Sequence, residues 1–214
     1  MTKRLALCVE GRTEKEFVDH VLSPHLQQFS IYATATIVVT KFVADGANHT
    51  GGAVNLDRVV KDVRRLTSSF DHVSTLFDFY GFKGRIAGES ADALEARIGA
   101  AVNRPNFMPY VQRYEFEALL FARPEAAEAL FGADVRRAIA AVAERYDSPE
   151  DINDAPDTAP SHRLDALFLA YRNEKFRKAD AGPLLALDVG LDAMRARCPR
   201  FNAWLARLEA LAGT

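Results

Sequence analysis

Apolar positions fall into two rhythms along the chain. The first half alternates short unbroken apolar runs with stretches at helical spacing; the second half keeps helical spacing almost throughout. Leu5–Val9 is apolar without a break, the pattern of a strand covered on both faces in a parallel sheet. Gly11 permits a sharp turn after it. Thr13 is placed to cap a helix, with Glu14 and Glu16 in the first turn and Phe17, Val18, Val21 and Leu22 forming its apolar face. Ile31–Val43, rich in Thr, Val and Ile, reads as a second strand. The polar, Gly-rich Asp45–Gly52 reads as a loop before a helix that carries Leu56, Val59, Val60, Val63 and Leu66. Val73–Phe79 is a third buried strand, whose polar end is Asp78. The Gly81–Gly88 loop leads to a helix capped by Ser90, with Leu94, Ile98 and Val102 facing inward. Phe107–Tyr114 is the fourth strand, and Pro109 within it argues for a sheet edge. A helix over Glu115–Phe121 follows directly.

This order predicts an α/β fold, a mostly parallel sheet flanked by helices. Beyond Pro124 the spacing predicts helices over 124–131, 134–146, 162–175, 183–197 and 199–212, with Ser148–Pro160 as an Asp- and Pro-rich loop. The expected division is an α/β core over 1–123 and a helical extension over 124–214, packed on the core as part of one compact unit.

Composition agrees with that picture. At 214 residues and 49% hydrophobic, the chain can bury a sizeable single core. A net charge of −2 excludes a globally basic nucleic-acid binder and leaves room for a local basic patch. Cys8 and Cys198 fit no metal or redox spacing, and nothing resembles a disulfide framework, which favours a reducing compartment. The opening apolar run is too short for a signal-peptide core, and no stretch approaches the roughly 20 apolar residues of a membrane span. The expected location is the cytoplasm, with no membrane partner.

The candidate chemistry is acidic. In an open α/β sheet, ligands bind beyond the carboxyl ends of the strands. Glu10 closes the first strand and Asp78 the third. If those strands are neighbours, both carboxylates enter one crevice, where a cation between them or protonation of one relieves their repulsion. Such oxygen ligands suit Mg²⁺ or Mn²⁺. Glu14 is a further candidate ligand, or an orienter of Glu10; the helix dipole alone also favours an acid there. Glu115 and Glu117 lie two apart, so one is expected toward the crevice and the other toward solvent. Lys83 and Arg85 sit where a phosphate would be met, on a loop whose charges are also explained by solvation. His49 and His162 are isolated from any metal-binding partner. No P-loop and no nucleophile elbow is present, and Asp78-Phe79-Tyr80-Gly81 lacks the companions of a kinase site. Tyr110, Tyr114 and Phe116, like Phe201, Trp204, Leu205 and Leu208, read as core aromatics and core aliphatics rather than as a stacking platform.

The run Val9-Glu10-Gly11-Arg12-Thr13-Glu14 resembles the EGxTE signature of Toprim-like proteins. Further runs point to one group: Thr75-Leu76-Phe77-Asp78-Phe79-Tyr80-Gly81, Tyr110 through Phe121, Ile152-Asn153-Asp154, Pro160-Ser161-His162-Arg163, and Cys198-Pro199-Arg200-Phe201-Asn202-Ala203-Trp204-Leu205. In this order they resemble the DUF4276 family along nearly the whole chain. The resemblance implies a Toprim-type core, of the kind found in topoisomerases, primases and OLD-type nucleases. There a Glu after the first strand acts as acid or base near the metal, and a DxD pair after the third strand holds Mg²⁺. Carried over, Glu10 is the acid/base and Asp78 the first Asp. The second Asp position is Tyr80. Either Glu115 or Glu117 replaces the lost ligand, or metal binding is weakened.

The implied activity is Mg²⁺- or Mn²⁺-dependent cleavage of phosphodiesters in DNA or RNA, with Lys83, Arg85 and Lys41 as candidates to stabilise charge on the phosphate. The family's phage-defence and mobile-element settings imply an ATPase partner encoded nearby. The alternative reading is a non-catalytic binding or regulatory subunit of such an ATPase. A third is a phosphatase or nucleotide hydrolase that uses the same acids.

Overall fold

The computed structural model describes residues 2–42, 48–50, 54–152 and 158–213, with the backbone alone for 39–42 and 48–50. Strand β1 (Lys3–Val9) is central, pairing in parallel with β2 (Ile31–Ile37) on one side and with β5 (His72–Asp78) on the other. Between β1 and β2 the chain runs through α1 (Arg12–Phe17), a π turn at Val18–Leu22 and α2 (Ser23–Gln27). Two short strands, β3 (Val39–Phe42) and β4 (Asn48–Thr50), form a separate antiparallel pair. Helix α3 (Leu56–Leu66) precedes β5, and α4 (Ala91–Val102) follows it. The far edge is made by β6 (Phe107–Met108) and β7 (Val111–Gln112), both parallel to β5. The main sheet therefore runs β2-β1-β5-β6, with β7 extending the last ladder. Among the described residues no helix is long and apolar enough to cross a membrane.

Period-two alternation sorts the side chains of β1 into two cores. Leu5, Leu7 and Val9 face one side, and Ala6 and Cys8 the other. The smaller core is closed by Val59 and Val63 of α3 and by Leu94 and Ile98 of α4. The larger is closed by Phe17 and by the helical C-terminal half. That half comprises α5 (Ala126–Phe131), α6 (Ala133–Ala143), α7 (Pro160–Arg172), α8 (Lys178–Arg197) and α9 (Pro199–Glu209). The expected fold class is borne out: a mostly parallel sheet lies between helical layers, with the C-terminal half packed on it.

The second strand is shorter than its composition predicts. Parallel pairing stops at Ile37, and the same Thr- and Val-rich run continues as β3. Asn48–Thr50, inside the expected Asp45–Gly52 loop, pairs with β3; Val43, Asp45–Ala47 and Gly51–Gly52 lie outside the described residues. Pro109 splits the fourth strand into β6 and β7, since a residue without an N–H cannot continue the ladder. Both pieces lie at the edge, as Pro109 predicts. The helix expected over 115–121 is a 3-10 helix, Phe116–Ala122. Thr13 is not a cap. Gly11 takes that position, and its N–H donates to Glu14 Oε2 at 2.9 Å. Helix α8 begins five residues before the expected 183 and absorbs a kink at Gly190, whose φ of 75° suits glycine. Asn153 and Asp154 lie outside the described residues.

Helix α9 is tied to the sheet by side-chain chemistry as well as by area. Trp204 stacks on Tyr110 with centroids 4.5 Å apart. Its indole N–H donates to Ser74 Oγ at 2.9 Å, which in turn donates to the Met108 carbonyl at 2.6 Å. Glu150 receives the Arg200 and Phe201 amides at the start of α9, a cap at a buried helix end. Of the aromatic residues read from the sequence as core, Tyr110, Phe116, Phe201 and Trp204 are buried, while Tyr114 is half-buried against the smaller core. Trp204→Ala is expected to lower stability by about 3–5 kcal/mol through the cavity and the lost stack, measured by urea unfolding. A loss under about 1 kcal/mol would show that α9 is not a structural partner of the sheet.

Candidate functional site

The strand order makes Glu10 and Asp78 neighbours. Val9 is in register with Leu76 on the adjacent parallel strand, so both acids emerge from the carboxyl end of the sheet on paired strands. Asp78 is half-buried at the end of β5. Its Oδ1 accepts the Phe116 amide at 2.8 Å and so caps the 3-10 helix Phe116–Ala122. Glu14 is buried behind Glu10, with Oε2 on the Gly11 amide. Glu117 is 2% exposed and forms an ion pair with Lys178 at the start of α8, Oε1 to Nζ 3.2 Å.

Glycine shapes the approach at Gly81. A Cβ there would stand 2.8 Å from Glu10 Oε1, so the backbone after Asp78 closes over the Glu10 carboxylate only without a side chain. The carboxylates are linked electrostatically. Burial, with Glu14 and Glu117 nearby, pushes Glu10 up to about 7, although the Asp78 backbone amide and Lys178 pull it down. Burial likewise brings Glu117 up to about 7, with Lys178 opposing and Glu115 and Glu14 adding to the rise. Asp78 is driven well above the usual carboxylate range by burial and then by Glu14, Glu117, Glu10 and Glu115. Glu14 is also raised, chiefly by burial. The Lys178 ammonium loses from desolvation and gains more from Glu117, Glu115 and Asp78, so its pKa is raised.

Glu115 is as buried as Glu117 and serves a different end. Its Oε2 accepts the Ser161 amide at 2.8 Å and its Oε1 the Ser161 hydroxyl at 3.0 Å. Both oxygens are thereby committed to the N-terminus of α7. The expectation that one of the pair faces solvent is corrected: both are inside. Lys83 and Arg85 are exposed on their loop, and Arg85 lies over the Phe79 ring at 4.5 Å. The side chains of Lys41 and His49 lie outside the described residues, and His162 is exposed. Tyr80 is 37% exposed and its amide donates to the Tyr114 carbonyl at 2.9 Å.

Two buried carboxylate oxygens, Glu10 Oε2 and Glu117 Oε2, have no hydrogen-bond partner among the described residues. They are hard donors of the kind that take Mg²⁺ or Mn²⁺, and in this respect the cluster fits a divalent cation. Among the described residues no three His, Cys, Asp or Glu side chains already converge on one ion position. Binding would therefore require side-chain movement. Lys178, which sequence reasoning missed, is the cation present. Its only sequence signal is a basic residue at a helix start, where the dipole disfavours it.

The family model described as a domain of unknown function, DUF4276, matches residues 9–209, and the chain belongs to that family. No curated protein matches the sequence. Among solved structures, the chain is similar to the C-terminal region of the OLD protein of Xanthomonas campestris pv. campestris. The identity is 18% and the TM-score 0.40, over 95% of this chain and 94% of that one.

The raised carboxyls make a pH prediction. A carboxyl whose folded pKa exceeds its unfolded value holds its proton more tightly in the native state. Its stabilisation is present at low pH and lost as pH rises through the folded value. With Glu10 and Glu117 brought from 4.5 to about 7, the melting temperature in chelator should fall by roughly 5 °C between about pH 5 and pH 8. Glu10→Gln should flatten that slope. A melting temperature that is level or rising over the window would contradict the buried-acid description.

Proposed function

We propose that this chain is a divalent-metal-dependent phosphodiester hydrolase, a nuclease of Toprim-like type. The observation that carries the reading is the pair of unpartnered buried carboxylate oxygens on Glu10 and Glu117, beside Asp78, at the carboxyl end of a parallel sheet. Burying like charges is unfavourable unless they are neutralised. An arrangement that serves only stability would give them partners, as Glu115 is given Ser161.

Glu10, Asp78 and Glu117 are the residues that would hold Mg²⁺ or Mn²⁺, with Glu14 fixing the turn that carries Glu10. When bound, the ion supplies positive charge against a phosphate oxygen and acidifies an attacking water. The near-neutral Glu10 carboxyl would accept the water's proton. Asp78 ties this chemistry to the backbone by capping the 3-10 helix that delivers Glu117. Lys83 and Arg85, exposed on the loop after Asp78, are placed to meet the flanking phosphates of a polymer. In this role Glu117, and not Glu115, takes over from the acid that Tyr80 replaces.

A second reading rests on Tyr80 and Lys178. With one acid gone and an ammonium already neutralising the cluster, the same fold can act without chemistry, as a binding or regulatory subunit of an ATPase partner. The third reading, hydrolysis of a small phosphate ester, uses the same acids without the loop cations.

Calorimetric titration with Mn²⁺ separates these readings. The wild type is expected to bind one or more ions, and Asp78→Asn to lose at least about tenfold in affinity. The asparagine keeps Oδ1 for the Phe116 amide, so the fold should survive the change. Gly81→Ala should weaken binding similarly by displacing the Glu10 carboxylate, with a stability change under about 1 kcal/mol because the displaced group is the end of a flexible side chain. No binding by the wild type would sink the metal-dependent reading and favour the regulatory one. Binding with hydrolysis of nucleotides but not of DNA or RNA would favour the third.

A further inference from the structure

We infer that Lys178 is a built-in competitor of the divalent cation: its ammonium occupies Glu117 in the metal-free protein and leaves when an ion enters. The inference rests on the metal-dependent reading above and adds how its site is kept and filled.

Several features converge on Lys178. Its Nζ lies 3.2 Å from Glu117 Oε1, and the two side chains differ sharply in access, at 44% exposed for Lys178 and 2% for Glu117. The acid is fixed inside, on a 3-10 helix whose first turn is capped by Asp78. The cation reaches in from the surface on a flexible stem. An ammonium that already touches solvent can withdraw without leaving a buried charge of its own. Glu117 Oε2, the oxygen Lys178 does not take, is buried and unpartnered.

The backbone fixes where Lys178 stands. Gly182 lies one turn further along α8, on the same face. A Cβ there would come 3.1 Å from Thr13 Cγ2, so the missing side chain lets α8 press against the N-terminus of α1. That contact holds Lys178 over the turn carrying Glu10 and Glu14. The lysine is thus positioned from two sides, by the α8–α1 packing and by Glu117. Arg177, its neighbour in sequence, points away to Asp180 with its side chain 76% exposed.

A single positive charge offsets one of the clustered acids, and a divalent ion offsets two. The ammonium and the ion repel, and Glu117 cannot serve both at full strength. Lys178 therefore acts as a placeholder that keeps the acids folded in the absence of metal and sets a threshold for ion entry. A monovalent cation gains nothing by replacing an ammonium of equal charge, whereas a divalent ion does. The exchange thus favours divalent over monovalent ions.

The test is a Mn²⁺ titration by calorimetry at fixed neutral pH on the full chain as wild type, Lys178→Met, Lys178→Gln and Arg177→Gln, with each protein's melting temperature read in chelator and in saturating Mn²⁺. Competition predicts that Lys178→Met binds about tenfold more tightly than wild type, while Arg177→Gln changes by less than about twofold. Lys178→Met should also melt lower than wild type in chelator and recover the difference in Mn²⁺. If the methionine variant does not fold in chelator, the glutamine variant, which keeps a donor for Glu117, carries the comparison. Affinity that is equal or lower without Lys178, in a wild type that binds and an Asp78→Asn that does not, would overturn the competition and leave the metal site standing. Failure of both wild type and Lys178 variants to bind would overturn both. Binding by the Lys178 variants alone would support the competition, with Lys178 as the stronger occupant, and would overturn the metal-dependent reading of the wild type.

Discussion

The burial of several acids at one end of the sheet is the constraint around which the rest of the molecule is arranged. Glu14 and Glu117 are buried and Glu10 and Asp78 half-buried. Beyond burial, Glu14 and Glu117 raise the proton affinity of Glu10, and all three raise that of Asp78. Compensation comes from two backbone amides, Gly11 for Glu14 and Phe116 for Asp78, and from the Lys178 ammonium for Glu117. Glu10 Oε2 and Glu117 Oε2 are left over. A cluster so nearly neutralised, yet short by two oxygens, is poised to take either protons or a cation.

The same constraint ties the helical second half to the sheet. The first half supplies Glu10, Glu14 and Asp78 from two strand ends and one helix. It does not supply the charge that makes their burial tolerable. Lys178 arrives on α8, and the Ser161 that absorbs Glu115 arrives on α7. Glu150 then locks α9 to the turn at Pro149–Asp151, and Trp204 locks it to the sheet. Removing residues 124–214 would expose the larger core and also strand Glu115 and Glu117 without partners.

What could be read from the residues in advance follows from what kind of signal each carried. The strands β1 and β5 and their closing acids were legible because a doubly covered strand is a continuous apolar run, and a polar residue ending such a run stands out. The C-terminal aromatics were legible as core from helical spacing alone. The β3–β4 pair was not, since a Thr- and Val-rich run looks the same whether it continues one strand or turns into another. Lys178 was invisible for a different reason: one basic residue on a helical surface has no pattern, and only the α8–α1 packing through Gly182 gives it a role.

Glu115 and Glu117 show how much depends on helix type. In an α-helix, residues two apart diverge by about 160°, so an acid in the crevice implies its companion in solvent. Here Glu115 is extended at the N-cap of a 3-10 helix that starts at Phe116, so the two are not bound to one α-helical wheel and both lie inside while addressing different partners. Glu115 turns to α7 and Glu117 to Lys178. The tight winding follows from the start of the segment, where Tyr114 adopts a φ of 63° and Asp78 holds the Phe116 amide. Asp78 therefore helps set the helix on which Glu117 is presented. Under the proposed metal-dependent function, a cluster assembled in this way does not need its second acid two residues after Asp78. That position is free to be Tyr80, because the carboxylate is delivered from a segment that Asp78 itself anchors.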